Sequence, residues 1–407
     1  MTAHQRHDKS ANSAEGFAHH WDLDPTWLHL NHGSFGACPR AVLAAQAELR
    51  ARLERDPMGF FITELEPLWD EARRTLAEFV GAPPDDIVFL PNATTAVSTI
   101  LRSLEFSPGD EILTTNHEYN ACRNALDFVA ARSGASVVTA RIPFPVAGPA
   151  AVLEAVLGHA TARTRLLLID HITSPTALVL PVEPILRACA ERGIDTLIDG
   201  AHGPGMLDLS LARLGCAYYT GNLHKWVCAP KGAAFLYVRP DRQDRIRPLT
   251  ISHGANSPRR DRSRFQLEFD WLGTDDPSAQ LCVPHAIRHM GAFVPGGWEA
   301  VRAHNRALAA EGRALLAEAW KIELPCPAEM LGSMAALILE TGRLPAPLEA
   351  APYQDPLERE LAERYRIRVP VIPWPDPPMR IVRISAQLYN DREQYSRLAE
   401  AVNEIRR

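Results

Sequence analysis

Several residues that could share one chemistry stand just beyond apolar runs of this chain. The segment Tyr219-Thr220-Gly221-Asn222-Leu223-His224-Lys225-Trp226 sets a lysine between a histidine and a tryptophan. Asp199 closes the run Thr196-Leu197-Ile198 and is followed by Gly200-Ala201-His202-Gly203-Pro204-Gly205. An ionised carboxylate at the end of such a run is costly unless a cation or hydrogen-bond donors meet it. His117, Tyr119 and Asn120 follow another run, and Pro91-Asn92-Ala93-Thr94-Thr95-Ala96 opens a helical pattern with small polar residues whose N–H groups and hydroxyls suit a phosphate. Taken singly, each has a plainer account: a solvated lysine, a structural aspartate, a satisfied histidine at His202, a half-buried tyrosine at a helix start, an ordinary N-cap. Taken together, they meet the needs of pyridoxal phosphate (PLP). That cofactor requires a lysine for a Schiff base, a carboxylate to keep the pyridine nitrogen protonated, a flat side chain to stack on the ring and a cradle for the phosphate.

The elements that must position these residues follow from periodicity. Apolar, β-branched runs predict strands over 86–90, 111–114, 165–170, 196–199 and 233–238, with a further one over 216–219 before the lysine. Helical patterns over 96–104, 121–132 and 184–192 separate them. Such alternation gives an α/β protein with a mostly parallel sheet wrapped by helices, in which ligands bind outside the carboxyl ends of the strands. All the residues above fall on that rim, as do the hydroxyls of Thr173 and Ser174 after the run 165–170. A Ser/Pro/Arg-rich connection over 252–264 precedes a final third that begins helical near Cys282. It ends in the strand pattern MRIVRISAQLYN and a terminal helix, the pattern of a smaller α/β domain.

Composition narrows the class. A chain of 407 residues, 46% hydrophobic, predicts two domains. Its net charge of -6 gives no electrostatic footprint for nucleic acid. The basic run Pro258 to Arg264 reads as a solvated loop able to gather an anionic ligand. Seven cysteines without a CxxC pair read as free thiols in a reducing compartment, hence a cytoplasmic protein. No apolar run approaches the roughly 20 residues that span a bilayer, and the opening MTAHQRHDKSANSAEG lacks the apolar core of a signal peptide. That histidine-bearing opening reads as a poorly ordered polar tail, and no metal site is expected. No GxGxxG follows any predicted strand, so a nucleotide-binding Rossmann enzyme would leave Lys225 unexplained.

Five motifs, in order along nearly the whole chain, carry a resemblance: LNHGSFG (30–36), DGAHGPG (199–205), TGNLHKWVCAPKG (220–232), FDWLGTDDPS (269–278) and VRISAQLYN (382–390). With them the sequence resembles the class V aminotransferase superfamily of fold type I PLP enzymes, and within it the isopenicillin N epimerase-like proteins. The resemblance implies a large PLP-binding domain over 31–280 with a seven-stranded type of sheet. A smaller C-terminal α/β domain over 281–407 and an N-terminal tail and arm over 1–30, packing with the small domain, complete the chain. It also implies a homodimer with shared active sites and an amino acid as substrate. Lys225 would form the Schiff base, Asp199 would pair with the pyridinium nitrogen, His202 would sit beside the ring hydroxyl, and Tyr119 would stack on the ring. Ala93, Thr94, Asn222 and His224 match phosphate-binding positions; Ser174 counts among the cofactor-binding residues, and Thr274 matches one supplied by the neighbouring subunit. Asn31 and His32 would line the substrate side, and Arg383 would receive the substrate carboxylate through its bidentate fork.

The stretch 368–383 holds no cysteine, unlike the corresponding loop of cysteine desulfurases, which argues against persulfide formation by their route. Loss of the Cα proton could lead to epimerisation, to loss of a thiol from Cβ or to transamination; loss of carbon dioxide is a fourth route. Elimination needs one base and epimerisation two. No second base is evident among Tyr119, His32 and His202, so the reading favours a C–S β-lyase acting on an S-substituted cysteine. A non-catalytic scaffold is disfavoured because Lys225, Asp199 and Arg383 are all present.

Overall fold

The computed structural model describes residues 15–339, 355–375 and 379–407, so the tail reading for residues 1–14 lies outside the described residues. Seven short runs, most of them rich in Val, Ile and Leu, form the central sheet: β1 (Ile87–Leu90), β2 (Glu111–Thr115), β3 (Ser136–Ala140), β4 (Thr164–Asp170), β5 (Asp195–Asp199), β6 (Tyr218–Asn222) and β7 (Ala234–Val238). Their order is β1-β7-β6-β5-β4-β2-β3. β7 runs antiparallel to both neighbours, and the other pairings are parallel. β1, β2, β6 and β7 are buried at every residue because helices cover both faces, which is why they read as continuous apolar runs. β1 to β6 point the same way, so Leu90, Thr115, Asp170, Asp199 and Asn222 end on one rim.

Strand and helix boundaries differ from expectation by a few residues, and some elements differ more. β6 begins at Tyr218 and runs through Gly221 and Asn222, poor strand formers that are held by pairing with Phe235 and Ala234 of β7. β3 and the helix Pro149–Gly158 were not expected. β3 is an edge strand, paired on one side only and opening with an exposed Ser136, so its apolar signal is weak.

A second sheet of three antiparallel strands contains β8 (Met334–Leu339), β9 (Val371–Pro373) and β10 (Arg380–Ser385), in the order β9-β10-β8. The helices Gly297–Trp320 and Arg392–Ile405 pack together beside it. Leu28–His29 pairs in parallel with Ile367–Arg368, and Ser385 N donates to Leu30 O at 2.9 Å. These bonds bring the opening motif alongside β10.

Two arginines of the basic run are already engaged by acids of the chain. Arg259 is bonded to Glu66 and Asp261, and Arg262 to Asp70, in a chain of surface ion pairs. All seven cysteines are buried and free. Among the described residues no helix is long and apolar enough to cross a membrane.

Candidate active site

Lys225 follows the end of β6 after Leu223 and His224, and two glycines from the other motifs press against its segment. Gly36 has φ 68°, and a Cβ there would stand 2.1 Å from His224 O and 2.9 Å from Lys225 Cα. Gly205 has φ 82°, and a Cβ there would stand 2.7 Å from the Trp226 carbonyl carbon. Both the left-handed backbone and the close approach require glycine. The Lys225 amine lies 3.1 Å from His202 Nε2. Burial, followed by the charge of Arg383, lowers its pKa to about 8. Burial, and then the charge of Lys225, also holds His202 well below its ordinary value.

On the adjacent strand, Asp199 Oδ1 accepts from Ala201 N at 2.9 Å and Oδ2 accepts from the Cys122 thiol at 3.2 Å. Glu118 and Asp170 lie close by. Glu118 Oε2 accepts from Thr114 Oγ1 at 3.0 Å, while Glu118 Oε1 and Asp170 Oδ2 are buried without a hydrogen-bond partner. Burial and the Asp199 charge push Glu118 up to about 8, and burial with the charges of Glu118 and Asp199 raises Asp170 well above the carboxylate range. Glu118, Cys122 and Asp199 offer ligand atoms within 4.8 Å of one another. The corner is electron-rich and suits a cationic group.

The helix Ala93–Ser103 begins at this rim, capped by Asn92, whose Oδ1 accepts from Thr95 N at 2.8 Å. Ala93 N donates to Asn222 Oδ1 at 2.9 Å, which commits that amide to the protein. Among the described residues no hydrogen bond engages the Thr94 N–H or hydroxyl, so these and the Asn222 Nδ2 amide are the donors open to an anion. His224 Nδ1 donates to Ala233 O at 3.1 Å. Tyr119 immediately precedes the helix Asn120–Ser133 and is 44% exposed.

Arg383, on β10, reaches across to the large sheet. Its Nη1 donates to Ser174 O at 2.5 Å and to Ser174 Oγ at 3.3 Å; its Nη2 donates to Ser34 Oγ at 2.9 Å and to Asn31 Oδ1 at 3.2 Å. Ser174 therefore stands at the arginine end of the cluster. His32 is turned away from Arg383: its Nδ1 meets the Tyr389 hydroxyl at 2.9 Å and its Nε2 the Lys225 carbonyl at 3.0 Å, and burial lowers its pKa to about 3. Thr274 is exposed in the loop before Asp275 and makes no hydrogen bond to these residues.

Residues 39–343 match the profile of the family described as Aminotransferase class-V. The chain belongs to the aminotransferase class-V family. Among its relatives, an isopenicillin N epimerase of Amycolatopsis lactamdurans is 37% identical over 94% of this chain and 96% of its own. A probable chloroplastic L-cysteine desulfhydrase of Arabidopsis thaliana is 32% identical over 98% of this chain and 87% of its own. Two solved structures of the protein C-DES share the fold. A Lys-to-Ala mutant with glycine covalently linked to PLP matches at TM-score 0.77 and 22% identity, covering 94% of this chain and 97% of its own. A complex of this cystine C–S lyase with cysteine persulfide matches at TM-score 0.76 and 23% identity, covering 95% and 98%.

Six residues of this site escaped the sequence reading: Ser34, Glu118, Cys122, Asp170, Trp226 and Tyr389. Glu118 and Cys122 carried a signal, since they flank Tyr119 and Asn120, already marked for the rim. Ser34 lay inside a motif already singled out. Trp226 and Tyr389 act through where their polar tips point, which spacing does not give.

Proposed function

We propose that this protein is a PLP-dependent C–S β-lyase that converts an S-substituted L-cysteine and water into pyruvate, ammonia and a thiol. The residues present fit the cofactor. The carboxyl corner at Asp199 suits a protonated pyridine nitrogen, and the Thr94 and Asn222 donors at a helix N-terminus suit a phosphate. The buried amine of Lys225 suits an aldehyde carbon. When bound, PLP supplies an electron sink for the bonds at Cα.

The chain's own residues do the rest. Lys225 would hold the cofactor and would take the Cα proton of the substrate; a pKa near 8 leaves a usable neutral fraction at physiological pH. Asp199 would keep the pyridine nitrogen protonated, His202 would give a hydrogen bond to the ring oxygen, and Tyr119 would stack on the ring. Arg383 receives the α-carboxylate, oriented by Asn31, Ser34 and Ser174.

One observation favours elimination over epimerisation: the site offers a single basic amine. The nearby histidines are bonded to the protein and kept neutral by burial, His32 to Tyr389 and Lys225, His202 to Trp226 and Lys225, and His117 to Thr176 and Ile142. Epimerisation is the second reading, supported by the 35% and 37% identity to isopenicillin N epimerases. The reading includes a division into a cofactor domain over 31–280 and a small domain over 281–407, a homodimer in which Thr274 serves the partner's phosphate, and a cytoplasmic site of action in keeping with seven free thiols.

Proton NMR of the PLP-loaded protein with L-S-alkylcysteines in deuterated buffer is the test. Pyruvate and free thiol are expected. Deuterium at Cα without pyruvate would overturn the lyase reading in favour of epimerisation or transamination.

A further inference from the structure

Trp226 is wholly enclosed, at 1% exposure. An indole N–H can only donate, and a buried one needs an acceptor. Its acceptor is His202 Nδ1, at 3.2 Å. A neutral imidazole carries one ring hydrogen, so a ring that accepts at Nδ1 carries its hydrogen on Nε2. Nε2 is the atom that meets the Lys225 amine, at 3.1 Å. A half-turn of the ring would set carbon atoms against both the indole and the amine and break both contacts.

We propose that Trp226 is a positioning residue whose indole N–H locks His202 in the Nε2–H tautomer, so that the imidazole gives a hydrogen bond to the Lys225 nitrogen and cannot accept one from it. An ammonium at Lys225 would oppose N–H to N–H across that contact. The lock therefore favours the neutral amine, whose lone pair attacks an aldehyde or takes a proton. His202 in turn cannot be protonated at Nδ1 without expelling the indole, which agrees with its burial.

The other groups facing Lys225 pull in opposite directions. Arg383 disfavours the ammonium, and Asp199, Asp170 and Cys122 favour it. His224 is held neutral by burial, and His32 engages the lysine's carbonyl rather than its amine. The tautomer lock adds a directional contact that tips this balance. It belongs to the chain with or without cofactor; its bearing on catalysis rests on Lys225 being the lysine that holds PLP.

Two measurements on the full-length protein test the lock. Solid-state 15N NMR of histidine-labelled protein, with the His202 signals identified by their loss in His202→Gln, should show a protonated Nε2 and a bare Nδ1, both with PLP and after its removal. A protonated Nδ1 would overturn the proposal. Second, reductive methylation of the cofactor-free protein is followed against pH at Lys225, with the exposed-side Lys231 as internal control. In Trp226→Phe the Lys225 midpoint should rise by about one pH unit, because the freed ring can then present an acceptor, while Lys231 stays put. An unmoved or lowered Lys225 midpoint would overturn the proposal, and if the variant does not fold the NMR of the unaltered protein decides. Adding PLP should protect Lys225 from methylation. Failure to protect would count against the proposed cofactor role alone and would leave the tautomer assignment standing.

Discussion

Buried and half-buried carboxylates occur in this protein in two settings. Asp270 meets Arg73 at 2.7 Å and Asp355 meets Arg380 at 2.9 Å, so each arrives with a guanidinium from the same chain. Asp199 meets a backbone amide and a thiol, and its further neighbours, Glu118 and Asp170, are carboxyls like itself. A fold gains nothing by gathering carboxyls in a low-dielectric pocket, where burial and mutual repulsion make Glu118 and Asp170 keep their protons. The first setting is the arrangement of a charge that serves the structure. The second sets proton-holding carboxyls around Asp199 where a positive group could bind, and perturbed groups in such a cleft mark function.

Substitutions that separate the two settings follow, in decreasing order of effect. Lys225→Ala removes the amine facing the electron-rich corner. Its turnover should fall on the order of 10⁴-fold and its visible chromophore should disappear, read by steady-state assay and absorption spectrum. Asp199→Asn keeps the shape and deletes the charge. We expect turnover to fall on the order of 10² to 10³-fold with a melting temperature equal to or above that of the parent, because a charge buried among carboxyls is removed. Asp270→Asn is the counterpart at the structural pair. It should cost about 3 kcal/mol of stability by stranding Arg73, while activity per folded molecule is kept; chemical denaturation alongside the assay separates these outcomes. Equal loss of activity in the two aspartate variants would erase the distinction.

Arg383→Lys keeps charge but loses the fork held by Ser34, Asn31 and Ser174. Its kcat/KM should drop about 10 to 100-fold, chiefly through KM. The smallest effect belongs to Glu118→Gln, and its sign is set by linkage. The folded protein holds the Glu118 proton up to about pH 8, whereas the unfolded chain releases it near 4.5. The folded state therefore binds more protons in that window, and this glutamate makes stability fall as pH rises through it. The variant should have a flatter stability profile between pH 5 and 8 and gain on the order of 1 kcal/mol over the parent at pH 8, measured by thermal unfolding across that range.

The sequence carried the scaffold of this contrast better than its fine structure. The end at Asn222 reads three residues early because Gly221 and Asn222 break the apolar run, whereas the strand ends at Leu90 and Asp170 were legible because buried strands are unbroken apolar runs whose ends are sharp. Asp199 and Lys225 were readable for the same reason. The Cys122 thiol on Asp199 and the Trp226 contact with His202 were not, since both depend on which way a side chain points across separate elements. His32 shows the same limit: its motif marked it for the site, but burial turns it under the lysine backbone instead.

The central claim, that the amine facing the carboxyl corner holds the cofactor, is tested most directly by borohydride reduction of the PLP-loaded protein followed by peptide mapping. The chain has four lysines, Lys9, Lys225, Lys231 and Lys321. The account predicts a phosphopyridoxyl group on the Lys225 peptide alone. A label on any of the other three, or none at all, would contradict it.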